Sequence, residues 1–235
     1  MSKEPLDLLI FGAHPDDAEI GMGGTIAKHT EAGYRVGICD LTHAEMSSNG
    51  TVEIRKQEAD KAAQVLGLAA RTNLGYADRG LFGTPEHIEG ITLEIRRHRP
   101  RIVFAPYWLD RHPDHVACSQ LVQEAVFNAK LRRYAPDTGL EAWTVQQLYF
   151  YFINDVYDAD LTVDISAQIE RKRESLQAYG TQFTASGRSN DFVATPLNQG
   201  YLERVEARDC LLGQKCGVAA AEGFVSKLPY SVHLF

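Results

Sequence analysis

The sequence predicts an α/β protein, a Rossmann-like three-layer α/β/α fold on a mostly parallel sheet, and three observations carry that prediction. Apolar runs of strand length alternate with amphipathic stretches of helix length along the first half of the chain. That is the rhythm of parallel strands joined by right-handed crossovers. Aspartate, glycine and proline punctuate the joins where helices start and stop. Finally, the tripeptide His-Pro-Asp occurs twice, each time shortly after a run that reads as a buried strand. The ends of strands are where open α/β sheets build their sites.

Residues 6–11 read as a fully buried strand. Residues 18–32 follow as a helix, with Asp17 placed to cap it and Gly33 to end it. The second strand spans 34–41, and the polar, Gly/Asn/Ser-rich stretch 42–50 is a loop. A helix over 52–66 is set by the apolar spacing of Ile54, Ala59, Ala62, Ala63, Val65 and Leu66. A short strand at 71–74 leads into a long loop, 75–85, and a helix at 87–98 that Pro100 stops. A strand at 101–105 and a helix at 116–129 complete the alternation. Beyond residue 131 the rhythm changes, with strands at 146–153 and 161–163 and helices at 167–179 and 201–212. Residues 180–200, rich in Gly, Ser, Thr and Asn, read as an active-site loop or lid. The expectation is one domain over 1–235, with the α/β core at about 5–130 and a substrate-shaping part at about 131–235.

The 235 residues are 44% apolar and 23% charged, a composition that suits a soluble globular chain with a substantial core. A net charge of −7 without any basic block argues against a nucleic-acid partner. No apolar stretch approaches the roughly 20 residues that span a bilayer, so no membrane partner is expected. The start, Met-Ser-Lys-Glu-Pro, runs straight into a strand-like run, so no signal peptide is expected. Cys39, Cys118, Cys210 and Cys216 are scattered without a Cys-x-x-Cys, which suits free thiols in a reducing cytoplasm.

In the first motif, His14, Asp16 and Asp17 are close enough in sequence to enter one cleft. Pro15 holds His14 extended and out of helix geometry. The bland alternative is that the aspartates only cap the next helix. Gly21, Gly23 and Gly24 fall inside that helix and form no Gly-x-Gly-x-x-Gly, so they read as close-packing positions. In the second motif, His112 and His115 stand three apart at a helix start, with Pro113 in its first turn. Asp114 could orient one of these histidines through its second ring nitrogen; two surface histidines are the bland alternative. Two such clusters at two strand ends together point to a shared site for one divalent metal, with polar groups left over to move protons.

Ala13-His14-Pro15-Asp16-Asp17, Arg55, His112-Pro113-Asp114-His115 and the late Ala221-Glu222-Gly223-Phe224 resemble the PIG-L/LmbE-like zinc-dependent N-acetylglucosaminyl deacetylases. The resemblance runs over essentially the whole chain. Its short length and the run from Gly21 to Arg55 are most similar to the bacillithiol-pathway branch, whose substrate is N-acetylglucosaminyl-malate. Branches acting on mycothiol precursors or chitooligosaccharides stay open. The resemblance implies one Zn²⁺ per chain held by His14, Asp17 and His115. It implies Asp16 as general base, His112 as electrophilic or acid partner, and Asp114 as the group that holds His112. It also implies a cytoplasmic homo-oligomer, a trimer or hexamer, acting on a small amino-sugar substrate.

These residue types suit amide hydrolysis. Two histidines and a carboxylate leave a zinc position open for water, whose pKa the ion lowers to roughly 7. A carboxylate takes the proton as the water attacks, and an imidazolium steadies the developing oxyanion. The amine then leaves with a proton from Asp16 or His112. Arg55 is expected at the substrate, the alternative being a surface pair with Glu58. Glu45 and Ser48 could line the cleft from the loop after the second strand. Arg111 and Arg188 are candidates to grip a substrate carboxylate, while Tyr107 and Trp108 could stack on a sugar or simply pack. The rival from another class is a metal-sensing or nucleotide-binding module. A sensor needs no spare base such as Asp16, and a dinucleotide binder would show its glycine fingerprint after the first strand.

Overall fold

The computed structural model describes residues 4–184 and 192–229. Strands β1 (Leu8–Gly12), β2 (Val36–Thr42), β3 (Ala70–Tyr76), β4 (Ile102–Pro106), β5 (Gln147–Tyr151), β6 (Leu161–Asp164) and β7 (Ala221–Val225) form one sheet. Its order is β3-β2-β1-β4-β5-β7-β6. The first five strands pair in parallel; β7 runs antiparallel to both β5 and β6. The helices are α1 (Asp17–Glu31), α2 (Val52–Leu66), α3 (Pro85–His98), α4 (Pro113–Ala129), α5 (Ile169–Gln177), α6 (Gly180–Phe183) and α7 (Tyr201–Cys216).

Alternation along β1 builds the three layers. Leu8 and Ile10 face a core shared with Ile26 of α1, Ala62 of α2, Leu176 of α5 and Val205 of α7. Leu9 and Phe11 face the opposite core, with Ile91 of α3 and Val122 of α4. Successive side chains of a strand point to opposite faces, so a strand covered on both sides is apolar throughout. Each of the buried leucine, isoleucine, valine and phenylalanine side chains contributes roughly 1.5–3 kcal/mol. The chain winds outward from β1 to β3 and then crosses back to β4 on the other side of β1. That reversal leaves a crevice beyond the carboxyl ends of β1 and β4.

The glycines of α1 do pack closely. A Cβ on Gly21 would lie 2.2 Å from Tyr151 Cδ2, and one on Gly24 would lie 2.7 Å from Ile165 Cδ1. Met22, at φ −151°, breaks α1. The backbone N–H groups of Gly24 and Thr25 there donate to Glu222 Oε1 and Oε2 at 2.9 and 2.6 Å. Lys172 Nζ bridges Glu222 and Asp209 at 2.7 and 2.6 Å. The Ala221-Glu222-Gly223-Phe224 stretch is thus strand β7, and its glutamate clamps the kink of α1.

Three expectations need correction. Asp17 is not the cap of α1: it lies in the first turn, and Asp16 occupies the cap position with no side-chain capping bond. Asp17 Oδ2 instead accepts from the His14 N–H at 2.9 Å. Strand β7 shows in the sequence only as a motif, because a five-residue run containing Glu and Gly has no clear period. Residues 180–200 are not simply a loop, since α6 and a short 3₁₀ turn at Pro196–Asn198 lie within them. Residues 185–191, with Arg188, lie outside the described residues. Among the described residues no helix is long and apolar enough to cross a membrane, and all four cysteines are free.

Candidate active site

A pocket of about 650 Å³ opens beyond the carboxyl ends of the parallel strands. Each of the five parallel strands supplies a side chain just past its end: His14, Asp16 and Asp17 after β1, Ser48 after β2, Asp78 after β3, Arg111, His112 and His115 after β4, and Asn154 after β5. Arg55 enters the same pocket from the first turn of α2, whose start is fixed by Thr51 accepting from the Ile54 N–H.

The two motifs meet. The ring centroids of His14 and His112 are 4.8 Å apart and those of His112 and His115 are 4.7 Å apart. One ring nitrogen from each of the three histidines lies within 4.8 Å of the others. Asp17 spans two of them, with Oδ2 3.6 Å from His14 Nδ1 and Oδ1 3.1 Å from His115 Nε2. A further carboxylate stands behind each ring. His14 Nε2 lies 3.2 Å from Asp78 Oδ1 and 3.6 Å from Asp114 Oδ2; His115 Nδ1 lies 3.0 Å from Asp110 Oδ1.

Electrostatics follow from this crowding. Burial would lower the His14 pKa, but bonds to Asp114, Asp17 and Asp78 override it and hold the ring well above its ordinary value. Burial opposes charge on His115 too, and the attraction of Asp17 and Asp110 lifts it to about 9. The pKa of His112 is lowered by burial and by the neighbouring His115 and His14 charges. Imidazole nitrogens and carboxylate oxygens so disposed match the donor preference of Zn²⁺ and similar divalent ions. The protons that His14 and His115 hold among these carboxylates are the positive charge a cation would replace. The residues present therefore fit a divalent metal.

Asp16 stands beside this cluster. Its backbone is left-handed, φ 111° and ψ −22°, a conformation that strains a non-glycine residue by about 1–3 kcal/mol. Its Oδ2 lies 2.7 Å from Arg55 Nη2, and Arg55 also donates to the Pro15 carbonyl from Nε and Nη2 at 3.2 and 2.6 Å. The guanidinium rests over the Tyr179 ring, 5.3 Å from its centroid. Burial raises the Asp16 pKa from 3.8 to about 7, with Arg55 opposing the rise. Among the described residues, none hydrogen-bonds to the buried Arg55 Nη1. Glu58 is taken by the backbone N–H and hydroxyl of Thr181, both at 2.7 Å, so the Arg55–Glu58 surface pair does not form.

Other expected residues fall less centrally. Asp114 does not hold the His112 ring with its carboxylate. Its oxygens accept from the Arg79 backbone and guanidinium, both at 2.7 Å, and only its backbone N–H reaches His112 Nδ1, at 3.3 Å. The helix start points the Asp114 side chain back toward β3 and its loop. Glu45 accepts from the Asp78 N–H at 2.7 Å and braces that loop. Ser48 and Arg111 line the pocket, with Arg111 Nη2 donating to Asn154 Oδ1 at 3.0 Å. Trp108 packs edge-on to Phe150 under Lys227. Asp78, Asp110, Asn154 and Tyr201 were missed. Asp110 was legible as a carboxylate two residues before His112, whereas Asp78 sits in a long loop without a motif.

The GlcNAc-PI de-N-acetylase family model, PIG-L, matches residues 9–126. A diacetylchitobiose deacetylase of Thermococcus kodakarensis is 33% identical over 189 residues, covering 75% of this chain and 70% of that protein. A 1D-myo-inositol 2-acetamido-2-deoxy-alpha-D-glucopyranoside deacetylase of Rhodococcus jostii is 27% identical, covering 79% of this chain and 85% of that one. A conserved protein of Thermus thermophilus has the same fold, with a TM-score of 0.88, 40% identity and 97% of each chain covered.

Proposed function

The chain belongs to the PIG-L family of GlcNAc-PI de-N-acetylases, and from that footing we propose that it is a metal-dependent hydrolase that removes the acetyl group from an N-acetylglucosamine derivative. One observation carries the reading: a buried carboxylate, Asp16, is left over beside a cluster of histidines and carboxylates that fits a metal, with its pKa near neutrality. A binding module has no use for such a strained, spare base.

We assign the metal to His14, Asp17 and His115, one ion per chain. When bound, a divalent ion polarises the acetyl carbonyl and makes water more acidic. Asp16 accepts the proton of the attacking water as the new O–C bond forms. Asp16 then passes that proton to the amine nitrogen as the C–N bond breaks, giving acetate and a free amine. His112 accepts at Nδ1, so its ring proton sits on Nε2 and serves as a hydrogen-bond donor to the developing oxyanion. Burial and the neighbouring His115 and His14 charges lower its pKa, which favours the neutral ring in the metal-free protein. Asp114 acts through His14 and Arg79 and is a positioning group.

For the substrate we favour N-acetylglucosaminyl-malate, as in bacillithiol biosynthesis. The pocket has room for a sugar and its aglycone, and Arg111 lies on its wall to receive a carboxylate. The named relatives act on a disaccharide and an inositol conjugate, so the aglycone is the variable part. A cytoplasmic trimer or hexamer rests on the family resemblance alone. The test is amine release from N-acetylglucosaminyl-malate, diacetylchitobiose and N-acetylglucosamine by Zn²⁺-loaded and chelated protein. The malate conjugate should be preferred and chelation should abolish turnover. Activity that survives full chelation would refute the metal reading, and a preference for the disaccharide would refute the malate.

A further inference from the structure

The carboxylate of Asp110 makes more bonds than a local turn requires. Oδ1 accepts from the N–H of His112, the N-cap of α4 two residues on, at 2.7 Å, which alone would close that turn. The same oxygen lies 3.0 Å from His115 Nδ1 and accepts from Asn154 Nδ2 at 2.9 Å, while Oδ2 accepts from the Asn154 N–H at 3.2 Å. Asn154 follows β5, so these bonds tie the loop after β4 to the loop after β5. On its far side, Asn154 Oδ1 accepts from Arg111 Nη2 at 3.0 Å and from the Tyr201 hydroxyl at 3.4 Å, and both residues line the pocket.

A ring nitrogen that donates to a carboxylate carries the proton and leaves the other nitrogen with a free lone pair. For His115 that other nitrogen is Nε2, which faces Asp17. From this geometry we propose that Asp110 and Asn154 form a positioning unit for His115. Asp110 fixes the tautomer and tilt of the ring so that Nε2 is presented to a metal. Asn154 pins Asp110 with two bonds and joins it to the pocket wall through Arg111. The proposal rests on reading His115 as a metal ligand. It predicts which residues outside the ligand set govern affinity, since partners behind a ligating histidine typically contribute about 10–100-fold.

The experiment titrates Zn²⁺ into metal-free wild type, Asp110→Asn and Asn154→Ala against a chromophoric chelator, with the melting temperature of each metal-free protein measured alongside. Wild type should bind one ion per chain. Asp110→Asn should weaken binding by about 10–100-fold. Asn154→Ala, which leaves the carboxylate in place, should weaken it by a smaller factor, with its metal-free melting temperature close to wild type. A purely structural role would lower the melting temperature and leave the affinity of the folded protein alone. If Asp110→Asn does not fold, Asn154→Ala decides. Wild-type affinity in the folded variants overturns the proposal while the metal reading stands. A wild type that takes up no ion overturns the metal reading and this inference with it.

Discussion

Replacing Asp16 by Asn should separate catalysis from stability, in opposite directions. The amide is isosteric, and Asn tolerates a left-handed backbone, so the φ of 111° survives. Arg55 keeps both of its bonds to the Pro15 carbonyl. Loss of a general base lowers turnover by roughly 10²–10⁴-fold, or about 2.7–5.5 kcal/mol of barrier. Stability moves the other way. Burial raises the Asp16 pKa from 3.8 to about 7 even with Arg55 beside it, so the folded protein disfavours the charged form. Three pKa units correspond to a ceiling of roughly 4 kcal/mol, part of which imperfect hydrogen bonding by the amide takes back.

The sign follows from proton counting. The folded state holds the Asp16 proton more tightly than the unfolded chain, so wild type loses this contribution as pH rises from about 4 to about 7. Asp16→Asn loses nothing over that window. Above pH 7 the metal-free variant should be the more stable by about 2 kcal/mol, or 4–8 °C for a chain of this size. The assay pairs amine release by the Zn²⁺-loaded proteins with melting temperatures of the chelated proteins at pH 5 and pH 8. Chelation matters because a bound cation would itself depress the Asp16 pKa. Near-wild-type turnover would remove Asp16 from the mechanism. A variant that melts earlier at pH 8 and is inactive would show that the loss is structural.

Arg111→Ala should lower kcat/KM for N-acetylglucosaminyl-malate by the value of a charge-assisted hydrogen bond, about 1.5–3 kcal/mol. It should spare N-acetylglucosamine, and equal losses on both would refute its role as carboxylate binder. Gly21→Ala should destabilise by about 1–3 kcal/mol or more, read by denaturant midpoint, because the new methyl would meet the buried Tyr151 ring and the Phe152 carbonyl; an unchanged midpoint would contradict that packing. Alkylation at pH 8 should label Cys210 and Cys216 in the native protein and spare the buried Cys39 and Cys118. Burial pushes the Cys39 thiol up to about 12, so rapid native labelling of Cys39, read by peptide mass spectrometry, would refute its environment.

Much of the fold was legible because it is periodic. Apolar runs covered on both faces and helices with a recurring apolar stripe leave a pattern in the order of residues, and α2 matches its expected bounds. The two His-Pro-Asp motifs were legible because each is contiguous and stands at a strand end. The sequence by itself therefore determined the layered α/β architecture, the pairing of two strand-end clusters and the identity of the groups that meet. Only the tertiary structure decided what lies between them. Asp78, Asp110 and Asn154 reach their histidines across 64, 5 and 39 residues, and no local pattern marks the two distant partners. Asp114 turned to His14 and Arg79, and Arg55 to Asp16, because a buried charge goes to the nearest counter-charge in space, whatever its distance along the chain. Strand β7 was likewise hidden: an edge-side antiparallel segment is held by its neighbours β5 and β6, and that support does not exist until the sheet does.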